Sequence, residues 1–524
     1  MHRRTILATA ATAAATLAAP RIVRAQSATT LKFVPYADLV LLDPAVSAFV
    51  TRNHVLIVFD TLFGVDEQGR AQPQMLAGYT TAEDGLTWTL TLRDGLKFHD
   101  NTPVLARDAV ASIKRWWVQD AFGQALALAT DDVLAPDDKT IVFRLKRKFP
   151  LLPDAMAHPT NTMAAIMPAR LAATPASTRL VEMVGSGPFR YVANERVPGA
   201  RNVYARFDGY VPRQDAPSFT AGAKTVHFDR VEWLTTPDPA TQVAALQNNE
   251  IDFVEQPLMD LVPQLRANKG VKVEVVETKG LIGFLRFNQL YPPFDNPAIR
   301  RVVLRAVNQK EFMEAVVGTN AAYDAQTGLF TSGMPMANTA GMEALSGKHD
   351  LARLRQDLIT AGYKGETVIF LEPTDVPRIN AIGEVGADML RKLGMKVDLI
   401  ATDWGTTVQR SVGRKPPAEG GWNAFVAFSG GYDCSMPGSH QLMRGNGAGA
   451  YNGWPTLPKL EALRDEWLFA EPADQLRLAQ ALQVQAFEDV PYLPLGSYQQ
   501  PVAYKANLTG VSKGLVQFTG IRRI

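Results

Sequence analysis

Hydrophobic patterning along the chain points to a two-lobed α/β protein with a smaller α+β unit inserted near its start. Three observations carry this expectation. Strand–helix–strand runs, the mark of parallel crossover connections, occur in two well-separated parts of the sequence. Between the beginning and the first of them lies a stretch, 80–147, whose strands and single helix are locally connected. The length, 524 residues, exceeds what one core organises at roughly 100–200 residues per domain.

The elements follow in order. Residues 31–34 read as a short strand, 35–44 as a loop, and 56–63 as a buried helix or strand. Thr87–Leu92 alternates Trp88, Leu90 and Leu92 with threonines, the period of a half-buried strand. Asp94-Gly95 turns the chain, 97–99 is extended, and Thr102-Pro103 is expected to open a helix whose apolar face holds Val110, Ile113 and Trp117. A turn at Pro136-Asp137-Asp138 leads to the strand Thr140–Leu145, and Arg144, Lys146, Arg147 and Lys148 mark its exposed side and end. The first crossover is Arg230–Leu234 (strand), Pro239–Gln247 (helix) and 251–254 (strand), with Asn249 just past the helix where a left-handed residue is needed. Asn296 caps a helix with Pro297 at its first position and a buried stripe of Ile299, Val302, Val303, Ala306 and Val307. Leu351, Leu354 and Leu358 form another helix, stopped near Gly362. The second crossover runs 367–371, 377–393 and 396–400. A last helix, Pro472–Asp489, carries Leu476, Ala479, Leu482, Val484, Ala486 and Phe487.

Composition narrows the function. With 54 Lys plus Arg against 52 Asp plus Glu, the chain has no basic excess to bind nucleic acid. The 46% hydrophobic and 20% charged residues suit a well-packed interior, not disorder. At the start, basic residues 1–4, a mild apolar run over 5–19 and Val23-Arg24-Ala25 before Gln26 have the layout of an export signal cut after Ala25. Arg3-Arg4 gives it a twin-arginine character. The run is too short to span a bilayer, which needs about 20 apolar residues. Cys434 is the only cysteine, so no intrachain disulfide forms and no lipid-accepting cysteine stands near the cut.

Catalytic and metal patterns are not found. The seven histidines make no H-E-x-x-H pair, and one cysteine builds no multi-thiolate site. There is no nucleophile elbow and no phosphate-binding P-loop. Gly185-Ser186-Gly187-Pro188 reads as a structural turn because Pro188 removes a backbone donor and a strand follows. His99 reads as a turn residue, and Trp88, Phe98, Trp116 and Trp117 as core. The pairs Asp131-Asp132 and Asp137-Asp138 sit in solvated turns. No cofactor is called for.

Particular strings carry a more specific reading. The 60–110 segment holds P-x-x-L-A, E-D-G-L-T-W-T-L-T-L-R-D-G-L-K-F-H-D, T-P and the helix with Arg107-Asp108-Ala109-Val110. Further on come Gly185–Phe189 as G-S-G-P-F, A-L-Q-N-N-E-I-D over 245–252, Phe287-Asn288 with P-F-D-N-P-A-I-R-R-V over 293–302, and P-Y-L-P-L over 491–495. In that order the set resembles the signature of the family 5 extracellular solute-binding proteins, the periplasmic components of peptide/nickel-type ABC importers. Asn101 and Asn249 stand where that family usually has Gly.

The resemblance implies a class II periplasmic-binding fold with two lobes and an additional α+β subdomain on the first. The expected division is 1–25 signal peptide, 26–65 with 184–280 and 496–524 as lobe 1, 66–183 as the subdomain, and 281–495 as lobe 2. It implies an exported periplasmic monomer that captures a small solute by lobe closure, without chemistry. An inner-membrane permease and ATPase would be its partners. Tyr36, Asp38, Asn161, Arg286, Asn288, Trp404, Arg410, Phe428, Tyr432 and Asp433 are the expected ligand contacts. Trp404 would supply a stacking face, and Arg286 or Arg410 would pair a carboxylate. In dipeptide binders an Asp of the corresponding loop meets the peptide amine. Here Tyr432 takes that place and Asp433 follows it, which points away from a free-amine peptide. The alternatives are a secreted hydrolase, which lacks a visible nucleophile–base constellation, and a binding protein serving a chemoreceptor.

Overall fold

The computed structural model describes residues 29–45, 49–319, 321–345 and 350–524. The export signal expected over 1–25 lies outside them.

A seven-stranded sheet forms the first lobe. Its central strand, Thr30–Val34, runs parallel to Arg230–Leu234 on one side and Phe253–Val254 on the other. Those two strands flank it because the helix Pro239–Gln247 carries the chain over the sheet between them, as the first crossover requires. The Asp238 side chain accepts from Thr241 N–H at the helix start, and Pro239 fills a position that needs no donor. Asn249 then takes φ +65°, the left-handed turn that returns the chain to the sheet. The strand that follows is shorter than expected, Phe253–Val254, and the Asp252 carboxylate just before it pairs with Arg523 and Lys505.

The second lobe is a six-stranded sheet in which Thr367–Pro373 lies parallel to both Lys396–Thr402 and Ala424–Gly430. Leu281–Phe287 and Ala424–Gly430 are buried along their whole length, as strands covered on both faces must be. The helix Pro377–Lys392 makes the second crossover. Among the described residues the chain passes directly between strands of the two large sheets twice, from Glu274 to Leu281 and from Tyr498 to Val502, so two short segments form the waist. Packing there is close: Gly280 has φ +73°, and a Cβ on it would stand 2.6 Å from the Tyr498 carbonyl.

The inserted unit is an antiparallel sheet ordered Leu76–Thr81, Thr87–Leu92, Thr140–Leu145, Thr130–Leu134, backed by the helix Ala106–Trp116. That helix starts later than Thr102-Pro103 suggests. Lys97 and Pro103 form an isolated antiparallel bridge, and the Asp108 carboxylate caps the backbone at Leu105 instead. Segment 56–63 is also divided: the helix Phe49–Val58 ends, and the strand Phe63–Val65 begins after a break. The turn at 185–188 is structural. A Cβ on Gly185 would stand 2.0 Å from the Val58 carbonyl oxygen, and Ser186 Oγ accepts from Asp60 N–H while donating to the Ile166 carbonyl. His99 buttresses it through Gly185 N–H and the Gly187 carbonyl.

The inserted unit also reaches the second lobe. Arg464 donates to the Ala121, Pro437 and Gly438 carbonyls, and Arg444 to the Ala121 carbonyl and Gln124 side chain. Arg147 pairs with Asp465 and lies over the Phe469 ring. In the final helix the buried face includes Gln483, while Leu476 and Val484 are exposed, unlike the expected stripe. Gln483 is held by Leu329 N–H and by the Asn338 and Ala340 carbonyls, so the helix pins an irregular loop rather than packing on hydrocarbon alone.

Candidate functional site

The carboxyl ends of the parallel strands in both sheets face one cavity. From the first sheet come the segments after Thr30–Val34 (Tyr36, Asp38), after Arg230–Leu234 (Thr235, Gln242) and after Phe253–Val254 (Gln256). The second supplies the segments after Thr367–Pro373 (Asp375, Arg378), after Lys396–Thr402 (Asp403, Trp404) and the end of Ala424–Gly430 (Phe428, Ser429). Open α/β sheets place ligands at such strand ends, where loops and helix N-termini leave backbone groups and side chains unengaged by the sheet. The cavity comprises two adjoining chambers, the larger, outer one of 340 Å³ and the smaller, inner one of 60 Å³; Tyr36, Arg378 and Trp404 line both and mark the neck where they adjoin. The outer volume falls in the range of small-molecule sites, roughly 300–1,000 Å³.

Arg378 spans the two lobes. It is the second residue of the helix Pro377–Lys392, and its guanidinium lies 4.5 Å from the centroid of the Tyr36 ring and 5.8 Å from that of Phe428. One Nη donates to the Gln256 side-chain carbonyl across the cleft, while Nε has no hydrogen-bond partner. An arginine left short of acceptors in a cavity is ready to bind an anionic group. Burial pushes the Tyr36 phenol up to about 12, with Arg378 pulling the other way, so it remains a neutral donor.

The inner chamber is polar at its base. Asp433 is 6% exposed; Gly430 N–H donates to its Oδ2, and Oδ1 has no partner. Burial pushes its carboxyl up to about 6, opposed mainly by the Arg52 charge. Asn161 Oδ1 is likewise unpartnered. Asp120 lines the same chamber but is saturated by the Phe122 and Gly123 amides and the Thr160 and Thr162 hydroxyls. Behind the neck, Glu255 accepts from Asn53 Nδ2 and Tyr36 N–H, which fixes the loop that carries the tyrosine. Glu277, on the waist, is pushed up to about 7 by burial.

Six of the ten expected contacts therefore line the cavity: Tyr36, Asp38, Asn161, Trp404, Phe428 and Asp433. Four do not. Arg286 is fully buried, lines neither chamber, and donates four of its five N–H groups to the Leu442, Tyr451, Asn452 and Pro491 carbonyls, so it has no pair of donors for a ligand carboxylate. Asn288 is buried with its amide on the Trp422 carbonyl. Arg410 bonds the Gly420 and Gly421 carbonyls. Tyr432 stacks on Phe219 at 4.8 Å instead of lining either chamber. Arg378 and Gln256 were not anticipated. The signal for Arg378 was present: it follows Pro377 at a helix start directly after a crossover strand. Among the described residues no group of His, Cys, Asp and Glu could hold a metal ion.

A cavity between two sheets joined at a waist is the geometry of a bilobed solute-binding protein. The chain belongs to the bacterial extracellular solute-binding proteins, family 5, whose model matches residues 70–439. It is 35% identical to a probable peptide ABC transporter periplasmic-binding protein of Sinorhizobium fredii, over 98% of this chain and 97% of that one. A glutathione-binding protein of Escherichia coli is 23% identical over 96% and 94%. Among solved structures, the periplasmic binding protein AgaA from A. tumefaciens R10, in complex with agropinic acid, has TM-score 0.79 at 20% identity, covering 94% of this chain and 99% of that one. A dipeptide-binding protein from Pseudoalteromonas, in complex with Met-Leu, has TM-score 0.76 at 18% identity, covering 94% and 100%. The fold is the class II periplasmic-binding fold of that family. The protein is a solute-binding component of an ABC importer, not an enzyme. Components of this kind bind small ligands and work with permease and ATPase partners. No helix among the described residues is long and apolar enough to cross a membrane.

Proposed function

We propose that this protein captures a small, peptide-like or otherwise amino-acid-derived solute bearing an anionic group, and presents it in the closed state to an inner-membrane permease and ATPase. The observation that carries the reading is Arg378. Among the described residues it is the only cation lining either chamber, it contacts Tyr36 and Gln256 from the first lobe, and its Nε is free to donate. Tyr36, Trp404 and Phe428 supply stacking faces around it; Asp38, Asn161 and Asp433 supply acceptors. The peptide transporter relative and the neighbours holding a dipeptide and an opine-type acid support this class of ligand. Closure follows from the division 26–65 with 184–280 and 496–524 against 281–495, with 66–183 riding on the first lobe. The strands assigned to the two sheets support it. A solute touching both lobes favours the closed form by its contacts to the second wall, which the open form lacks.

The protein acts in the periplasm as a monomer, after cleavage near Ala25 of the twin-arginine-like leader. It has no nucleic-acid partner, in keeping with its near-zero net charge of +2. The test is native mass spectrometry of freshly purified protein together with a thermal-shift panel. A small adduct released intact, and about 2.7 kcal/mol of stabilisation at a hundredfold excess over Kd, are expected. Release of a chemically altered molecule contradicts the reading.

A further inference from the structure

The second lobe meets the inserted unit over a surface that lies outside the cavity. Phe122, fully buried, packs on Gly438, where a Cβ would stand 2.7 Å from its ring. Arg464 and Arg444, each 5% exposed, cross from the second lobe to the Ala121 carbonyl at the start of the helix Ala121–Ala129. Arg444 also reaches the Gln124 side-chain carbonyl at 2.9 Å. Nearer the solvent, the Phe149 and Phe469 rings pack 5.6 Å apart, and Arg147 lies 3.2 Å over Phe469 while pairing with Asp465 at 2.7 Å. None of these residues lines either chamber, so a solute held there touches none of them. Across the cavity itself the walls meet at Arg378, through Gln256 and the Tyr36 ring.

The two buried guanidiniums are held in place by their own lobe. Arg464 donates to the Pro437 and Gly438 carbonyls, and Arg444 pairs with Glu461, and these contacts do not involve the inserted unit. Bringing the two surfaces together therefore freezes few further side chains, while it adds charge-assisted bonds to Ala121 and apolar contact at Phe122, Phe149 and Phe469. We infer that the inserted unit is a clasp: it holds the second lobe shut through contacts that no solute makes, so the empty protein is closed most of the time. The inference rests on the inserted unit riding with the first lobe. A solute's own contacts then supply only the remainder of closure, and the strength of the clasp sets how much of the protein is ready to hold it.

The test is double electron–electron resonance on the full chain, freed of solute, with nitroxides on cysteines placed at exposed positions. One pair, Lys114→Cys with Ile359→Cys, spans the clasp; the other, Lys114→Cys with Val197→Cys, lies within the first lobe and its insert. Cys434 is 1% exposed, with its thiol pushed up to about 12 by burial, and escapes labelling. In the empty wild type the first pair should show mainly the distance it has in this structure. Gly438→Ala wedges a methyl against the Phe122 ring and should lower the closed-to-open ratio about tenfold. Arg147→Ala with Asp465→Asn, a change confined to half-exposed side chains that leaves folding intact, should lower it about fivefold. An empty wild type that is mostly open, or variants with the wild-type distribution, overturns the clasp; a fixed second pair then leaves the division into lobes standing. Movement of the second pair overturns that division, and the clasp with it.

Discussion

The interior of the second lobe and the cavity wall above it use arginine in opposite ways. Inside, Arg286 meets four backbone carbonyls, Arg464 three, and Arg300 reaches the Phe294 and Asp489 carbonyls. Burial without a carboxylate partner pulls Arg286 and Arg300 down to about 10 and Arg464 to about 9, still charged at neutral pH. These guanidiniums knit loops and helix ends to one another. At the neck, Arg378 has aromatic rings on its faces, one amide across the cleft and a free Nε. What a guanidinium faces, rather than its presence in a conserved-looking string, separates scaffold from recognition.

Substitutions sharpen the contrast. Arg286→Ala strands four buried carbonyls and should cost about 4 kcal/mol of folding free energy, read as a lowered denaturant midpoint. Arg378→Ala should leave the midpoint within about 0.5 kcal/mol and weaken an anion-bearing solute about a hundredfold, or about 2.7 kcal/mol, by calorimetry. If the two variants exchange these phenotypes, the division is wrong. Trp404→Ala removes a stacking face common to both chambers, and a loss of about tenfold in affinity is expected.

The smallest effect is in pH. Burial pushes the Asp433 carboxyl up to about 6 in the folded chain against an ordinary 3.8; the Arg52 charge and the Gly430 and Asn161 backbone pull it down, and Asp120 adds a smaller upward push. Being raised, it contributes stability that is fully present below about 4 and is lost as pH rises through 6. For a solute whose hydrogen-bond donor meets the ionised carboxylate, binding runs the other way: affinity should fall severalfold as pH drops from 7 to 5 and the carboxylate is protonated. Asp433→Asn should flatten that affinity profile; a slope unchanged by the substitution would assign it to another group.

Much of the framework was legible because its signals are local. Asp238-Pro239 and Asn296-Pro297 announce their helices, and Asn101 and Asn249 take the left-handed geometry expected where the family has Gly. The two crossovers followed from the order of apolar runs. What failed depends on distant partners. Nothing near Arg286 reveals that the 442–452 loop and Pro491 will surround it, nor does the Thr102-Pro103 pair reveal the bridge of Lys97 to Pro103. Gln483 looks like a solvent-facing position until Asn338 and Ala340 are brought over it. For the cavity, loop identity was readable and side-chain direction was not: Tyr432 and Asp433 are neighbours, yet one stacks on Phe219 and the other lines the inner chamber.

The most direct measurement is a calorimetric titration of the co-purified solute into wild type, Arg378→Ala and Arg410→Ala, all confirmed folded. The account predicts near-wild-type affinity for Arg410→Ala, whose guanidinium serves the Gly420 and Gly421 carbonyls, and about a hundredfold loss for Arg378→Ala. Full affinity in the Arg378 variant with loss in the Arg410 variant would place the solute somewhere other than the neck between the two sheets.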